Sequence, residues 1–514
     1  MQKVYDNIPK EKFVFAQLGE KMHDEKLQTK SRGYFADAFL RFKKNKSSVV
    51  AACIIAVLVL FAIFSPIVSV YDIYDKEPAY TNFAPFHQGV ADWGIGILDG
   101  GVVYTSQNAT QMLRMEAIAE ETGRDPLIKI LKETKYTVLE RGQEVEKSSY
   151  KVRVNKYYEK GIVIRTINYE EFEAIQKFQN ETGIQVIYPW VNAPKGDKFQ
   201  DYKQTDNPNV WYQISDAKGT PVLDSEGNFI PAYATQTATD RPYNSQRIES
   251  DPGDYAYSKT VSGAVQCRLD FYSYYTFVNG HEPVYLFGTN ALGQDVFTAI
   301  GVGARFSLIF AVIVSAINLT IGAIYGAIQG YYGGYIDLFM DRLSDILSGV
   351  PSIVTVTLFQ LHLAKRVGPI VSFLFAFVLT GWIGMAALTR KQFYRFKSQE
   401  YIMAARTLGA SDWRLMFKHI FPNSLGTIVT SCVLVIPGVI NSETTLTYLG
   451  IVDLSQFSGT SIGVLMSQGQ TAMTTSPHAM VFPALFISLL LISFNLFGNG
   501  LRDAFNPSTR GVED

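Results

Sequence analysis

The stretch QEYIMAARTLGASDWRLMFKHIFPNSLG, residues 399–426, has the most informative spacing in the chain. Two short helical patterns follow one another in it. The first contains Ala404 and Ala405 and ends near Gly409; Ser411 or Asp412 can cap the second, whose apolar Leu415, Met416 and Ile420 recur near helical spacing before Pro422 stops the run. Such a pair suits recognition rather than bond-making. It either docks a protein or lies as an amphipathic helix against a bundle or a membrane surface. Glu443 is the second residue of interest: a carboxyl near the outer end of an apolar run is costly in lipid, so it is expected in a pathway or in the bundle interior. Cys53, Cys267 and Cys432 lie far apart and outside any Cys/His cluster, which leaves structural zinc or iron–sulfur sites without support. Cys53 and Cys432 sit in apolar runs and read as small buried hydrophobes. The chain carries no glycine-rich phosphate cradle, HExxH or nucleophile elbow.

The elements that must position these residues begin with apolar runs. Residues 47–71 are uncharged over 25 positions, enough for a helix to cross about 30 Å of hydrocarbon at about 1.5 Å per residue. A cleaved secretory signal does not fit a run this long with so many residues before it. Arg41, Lys43, Lys44 and Lys46 favour a cytoplasmic N-terminus. The next run is uncharged from after Arg305 to Ile336, and four more follow near 346–364, 367–389, 424–446 and 479–499. Six spans put both ends inside and make 390–423 a cytoplasmic loop, which holds seven basic residues against Glu400 and Asp412. The turn with Lys365 and Arg366 would face outward, a local exception to the charge rule.

Of the 514 residues, 47% are hydrophobic and 18% charged, against about 25% charged in ordinary soluble proteins. Mean hydropathy is nevertheless only +0.06, so polar and apolar residues must be segregated along the chain. Residues 72–300 contain 22 basic and 31 acidic side chains, a net charge of −9, and the remainder carries +8. The formal net charge of −1 thus sums an acidic external part and a basic membrane and cytoplasmic part, with no support for a nucleic-acid partner. A helix near 110–122, strands at YTVLE, YKVRV, GIVIRTI and IQVIYPW, and a helix at 170–181 predict a compact α+β insert. From about 191 to 262 turn-forming residues predict long loops.

The 400–422 loop closely resembles the signature of a known family, the permease subunits of bacterial oligopeptide and dipeptide ATP-binding-cassette importers, in particular the second of each system's two homologous permeases. That signature runs Glu-Ala-Ala, three residues, Gly, nine residues, Ile, any residue, Leu-Pro. The chain matches it at Ala404, Ala405, Gly409 and Pro422, with Met403 in place of the Glu, His419 in place of the Ile and Phe421 in place of the Leu. FGTNALGQDVFTAIGVGARFSL retains the family's Gly288, Thr289, Gly293, Asp295, Gly303 and Arg305, while Asn290 and Gln294 stand where Asp and Arg are common and so remove a loop ion pair. GYYGGYIDLFMDRLSDILSGVPS, GWIGMAALTR, SETTLTYLG and FNLFGNGLRDAFNP continue the resemblance, with Ile462 replacing the Trp usual before Gly463. It covers roughly 40–71 and 284–509.

The resemblance implies an all-α polytopic membrane protein with six transmembrane helices of the ABC importer permease type and an inserted extracellular α+β domain. The expected divisions are a cytoplasmic segment 1–46, a first transmembrane helix 47–71, an extracellular insert 72–283, a permease core 284–509 with a coupling loop 390–423, and a cytoplasmic tail 510–514. The implied job is a non-catalytic permease in the bacterial plasma membrane that forms half of the pathway of a binding-protein-dependent peptide importer. Implied partners are a homologous permease, two cytosolic ATPases, an extracellular peptide-binding protein and the peptide. No cofactor is expected on this chain, with ATP and Mg held by the ATPases. The residues expected to contact an ATPase groove are Glu400, Tyr401, Met403, Ala404, Ala405, Gly409, Asp412, Leu415, Met416, His419, Phe421 and Pro422. Nickel or another small solute is the alternative cargo; a channel, a receptor or a membrane-anchored extracellular enzyme is a more distant reading.

Overall fold

The computed structural model describes residues 34–505 except 92, 94–95, 141–142, 190–206, 216–218, 232–258 and 455–459. Residues 1–33 of the expected segment 1–46, the tail 510–514 and most of the loops read at 191–262 lie outside the described residues. Among those described, five helices are long and apolar enough to cross a membrane: Lys46–Val68, Val296–Tyr332, Pro369–Lys397, Asp412–Tyr448 and His478–Phe505. The helices Gly334–Ser348 and Ser352–His362 qualify only as a pair, and they are bent by 73° to one another. The sequence places a span at 346–364; instead a helix starts at Gly334 and turns sharply where Pro351 forces its predecessor out of helical geometry.

The Val296 helix also departs from expectation at both ends. It starts about ten residues before the charge-free run because Asp295 caps it, the carboxylate accepting from the backbone N–H groups of Phe297 and Thr298 and from the Thr298 hydroxyl. It stops at Tyr332, before Ile336, because Gly333 and Gly334 follow with φ of 69° and 56°. Its 37 residues span about 55 Å, so it must tilt or project beyond a bilayer core. Gly322, Gly326 and Gly330 recur every fourth residue along it, and a Cβ at any of the three would overlap the backbone of the Pro369 helix at Trp382, Ala386 or Arg390. This is the small-residue stripe that lets two membrane helices approach closely.

The Lys46 helix contains Pro66, which cannot donate to the carbonyl of Ala62. Arg305 of the Val296 helix fills that gap, its guanidinium donating to the carbonyls of Ala62 (3.4 Å) and Ile63 (2.8 Å). An arginine at membrane depth thereby replaces the backbone bond that proline deletes. Cys53 corrects the sequence reading: it is exposed on the protein's outer face, and Cys432 is half-buried. Periodicity identifies an apolar environment but not whether lipid or protein supplies it.

The segment between the first two spanning helices folds into two antiparallel sheets. Strands β1 (Gly101–Asn108), β2 (Leu127–Glu140) and β3 (Gln143–Asn155) pair in the order β1-β3-β2. Strands β4 (Ile162–Ile167), β5 (Ile187–Tyr188), β6 (Lys259–Val261) and β7 (Ala264–Asp270) form the second sheet, with β7 between β4 and β5 and also pairing β6. Helix Ala109–Thr122, with an Asn108/Gln111 capping box, covers Val152 and Val154 of the first sheet through Met115. Helix Tyr169–Thr182 covers the second through Phe172 and Ile175 against Ile187, Cys267 and Leu269. Burial pushes the Cys267 thiol well above its ordinary range, so it is an inert core group. The two halves meet at Arg268, which is fully buried, pairs in bidentate fashion with Glu121 at 2.9 Å and donates to the carbonyls of Pro189 and Pro208. An aromatic pad of Tyr71, Tyr80, Phe83, Phe86, Tyr157, Phe271, Tyr272, Tyr275 and Tyr285 joins this insert to the spanning helices.

Below the pad, the chain leaving the Lys46 helix and the chain approaching the Val296 helix form a neck. Backbone bonds run from Glu77 N–H to Gly293 O, Asn82 N–H to Asn290 O, Thr289 N–H to Phe83 O, and in both directions between Phe86 and Tyr285. Gly288 and Gly293 have φ of 73° and 75°, and a Cβ on either would strike the opposite backbone. Asn290 and Gln294 are buried here, with the Asn290 amide donating to the Gln294 carbonyl oxygen at 2.9 Å and Gln294 donating to Ile73 O. A neutral amide pair therefore occupies the place where the resemblance leads one to look for an ion pair.

Candidate functional site

The 399–426 loop is built on a rigid polar base. Arg390 bridges Asp337 (2.6 Å) and Asp341 (2.8 Å), Tyr394 donates to Asp337, and Lys397 donates to Gly330 O, closing the C-terminal end of the Val296 helix. From that base Glu400–Thr407 forms a helix that ends as Gly409 takes φ 84° and Ala410 N–H returns to Ala405 O. Ser411 occupies the next N-cap position without a side-chain bond. Asp412 does not cap either; its carboxylate accepts from the Tyr331 hydroxyl, which also accepts from Arg406 at 3.2 Å. The loop is thereby tied to the end of the Val296 helix.

Pro422 does not stop the second pattern. Residues Leu415–Ile420 form a π-turn that runs directly into the helix Phe421–Tyr448, with Phe421 N–H bonded to Met416 O. Proline is tolerated because it falls in the first turn of that helix, just after the widened turn. Leu415, Met416 and Ile420 are buried with Ile402 against Ala327, Tyr331 and Phe393. The apolar residues that recur at helical spacing thus anchor the loop and offer no outer surface. The outer surface comes from Leu408, 88% exposed, and Trp413, 68% exposed, flanked by exposed Met403 and Tyr401. Trp413 is held by Phe417, ring centroids 4.1 Å apart. Glu400, Ala404, Gly409, Asp412 and Pro422 are exposed as well, while Ala405, His419 and Phe421 are half-buried. Leu408 and Trp413 escape a periodicity search because they flank the glycine break; two large apolar residues five apart across a Gly-Ala-Ser turn were the available signal.

Glu443 lies at the opposite end of the same helix, fully buried. Its carboxyl accepts from Ser307 at 2.7 Å, Thr444 at 3.3 Å and Thr447 at 3.4 Å, and Ser461 donates to the Thr447 hydroxyl. Hydroxyls on three segments thus converge on one carboxyl, cross-linking the Val296 helix, the Phe421 helix and the approach to the helix Ile462–Thr471. Replacing Glu443 with Ala leaves the Ser307 hydroxyl buried without its partner, which costs about 1–3 kcal/mol. Thermal unfolding of the purified membrane protein should show a lowered midpoint for Glu443→Ala and a near-native one for Glu443→Gln. Equal midpoints for all three proteins would remove the cross-link from the account.

Residues 319–511 match the family described as the binding-protein-dependent transport system inner membrane component, and residues 33–85 match the N-terminal TM domain of oligopeptide transport permease C. The oligopeptide transport system permease protein OppC of Bacillus subtilis (strain 168) is 40% identical over 242 residues, covering 46% of this chain and 78% of that protein. The chain belongs to the oligopeptide and dipeptide transport permease family. The dipeptide transport system permease protein DppC of the same bacterium is 39% identical over 225 residues, 44% of this chain and 69% of that protein. DppC of Lactococcus lactis subsp. cremoris (strain MG1363) is 36% identical over 230 residues, 45% of this chain and 65% of its own length. This permease is accordingly a multi-pass membrane protein, mostly helical. Neither matching family region covers residues 86–318, so most of the two-sheet insert lies between them.

Proposed function

We propose that this permease forms half of the membrane pathway of an ATP-driven peptide importer and couples it to a cytosolic ATPase. The exposed Leu408–Trp413 knuckle, set on the buried Leu415–Met416–Ile420 anchor, carries this reading. An apolar pair on a fixed base fits a groove in a partner and transmits its displacement to the Val296 and Phe421 helices, to which the anchor is packed. A homologous permease completes the pathway, two ATPases bind ATP and Mg, and a binding protein delivers cargo. In this reading the bent pair is one crossing, six crossings place both termini in the cytoplasm, and the insert of residues 72–283 stands outside. Peptide is favoured over nickel or another small solute because the relatives are named for oligopeptide and dipeptide transport. Proteoliposomes holding the assembled complex should take up labelled peptide from the loaded binding protein in an ATP-dependent manner. Uptake of a metal or other solute in place of peptide would overturn the cargo.

The acidic insert, above the outer mouth in this reading, seats the binding protein or limits escape of substrate. The neck supplies the place to test that role: deletion of 88–283 with a short Gly/Ser linker keeps the Phe86–Tyr285 backbone pair and the lower neck bonds, and removes with the insert the pad rings of Tyr157, Phe271, Tyr272 and Tyr275. The expected result is an assembled complex with weakened docking of the binding protein and at least a several-fold higher KM for loaded binding protein. Unchanged docking and uptake would rule the role out.

A further inference from the structure

A hollow of about 130 Å³ lies where three spanning helices meet, lined by Ser315, Asn318, Gly381, Gly384 and Ser431 with apolar neighbours such as Val435. Ser315 and Asn318 fall near the middle of the helix Val296–Tyr332, Gly381 and Gly384 near the middle of Pro369–Lys397, and Ser431 near the middle of Phe421–Tyr448. Three long helices that coincide at their own midpoints place the hollow about halfway across the membrane.

Two polar atoms of its lining residues have nothing to bond. Ser315 Oγ and Asn318 Oδ1 are buried without a hydrogen-bond partner, and the residues are 2% and 3% exposed. A buried acceptor left empty costs about as much as a lost hydrogen bond, more so where no bulk water reaches. The Pro369 helix is also interrupted here: one helical segment ends at Gly381, Trp382 turns back on Thr380 O, and the next segment starts at Ile383. Broken backbone at membrane depth is tolerated where it lines a cavity. The glycines shape the hollow, since a Cβ at Gly381 would overlap the Asn318 amide, whereas the space beside Gly384 is open.

We propose that Ser315 and Asn318 accept hydrogen bonds from main-chain N–H groups of the peptide in transit, making this hollow the chain's contact with cargo halfway across. The inference rests on the reading of the permease as half of a peptide pathway. The hollow is well below the volume of a site that engulfs a drug-sized ligand, so it takes a short run of main chain rather than a whole peptide. Acceptors aimed at main-chain donors recognise a peptide whatever its side chains. Apolar walls with two or three polar atoms hold the chain without trapping it.

The test uses proteoliposomes containing the complete complex and the loaded binding protein. A labelled peptide is compared with versions of itself N-methylated at one amide at a time, in wild type, Asn318→Ala and Ser315→Ala. Discrimination by the binding protein is common to all three complexes and cancels when the uptake ratios are compared. At one methylated position the wild-type ratio should exceed the Asn318→Ala ratio by roughly fivefold, the worth of one hydrogen bond, with Ser315→Ala shifted in the same direction. Ser315→Ala removes an unpartnered hydroxyl and so keeps the test valid if Asn318→Ala fails to assemble. Ratios equal within about 1.5-fold at every position, as expected for a hollow that holds only water, overturn the inference and leave the function intact. A wild-type complex that moves no peptide overturns the function and the inference with it.

Discussion

Trp413→Asp and Leu408→Asp are expected to abolish peptide uptake while leaving the permease folded. Both side chains are exposed, so neither substitution opens a cavity, and the buried set of Ile402, Leu415, Met416 and Ile420 stays in place. What changes is the outer surface, where an apolar anchor becomes a charge that a partner's groove must desolvate. Truncation of a central anchor costs 2 kcal/mol or more, and a buried unpaired charge adds to that, so ATPase association should fall by at least about 30-fold. Co-purification of ATPase with the detergent-solubilised permease reads this directly, and uptake by the assembled complex reads its consequence. Gly409→Pro should have a similar effect by another route. Proline fixes φ near −65°, whereas Gly409 sits at 84°, so the turn between the Leu408 and Trp413 segments cannot form. Normal uptake by all three variants would detach this loop from coupling.

The second large effect belongs to the insert. Arg268→Met leaves Glu121 as a buried carboxylate without its bidentate partner and strips the carbonyls of Pro189 and Pro208 of their donor. Breaking such a pair from one side costs about 3–5 kcal/mol. Limited proteolysis of membranes should cleave the variant's insert rapidly while the spanning helices stay protected. Arg268→Met combined with Glu121→Met should recover part of the resistance, because the stranded charge is gone, but not all of it, because the two carbonyls remain unserved. Equal resistance in the single variant and the wild type would show that the two halves of the insert are held by apolar packing alone.

The spans were legible because a charge-free run is almost sufficient for a membrane helix, and the runs at 47–71, 367–389, 424–446 and 479–499 each lead to a helix that starts close to where it was read. Their ends depended on local chemistry that hydropathy does not score, such as the Asp295 cap and the Gly333–Gly334 turn. In the insert, helices 109–122 and 169–182 and strands β3 and β4 followed from periodicity. Strand β7 did not. AVQCRLD carries two charged residues in its last three positions, and the meaning of the first appears only when Arg268 meets Glu121 from a distant helix. The 399–426 loop was legible as a position and misleading as a surface. The spacing that reveals Leu415 and Met416 marks residues that pack inward, and the large apolar residues left exposed, Leu408 and Trp413, are those that no periodic pattern selects.

The neck between Glu77–Phe86 and Tyr285–Gly293 also bears on how a permease can carry so large an addition. Closing a long loop costs entropy that grows only with the logarithm of its length. Once the neck has closed, the spanning helices are joined by a tie of fixed width, and the domain beyond it shares with the neck the aromatic pad of Tyr71, Tyr80, Phe86, Tyr157 and Tyr285. Arg305, reaching across to Ala62 and Ile63, sets that width a second time within the membrane. The insert is therefore modular in the engineering sense: a foreign domain whose ends lie as close together as Phe86 and Tyr285, and which covers the pad rings left on the neck, should be graftable onto the same tie without shifting the register of the helices beneath it.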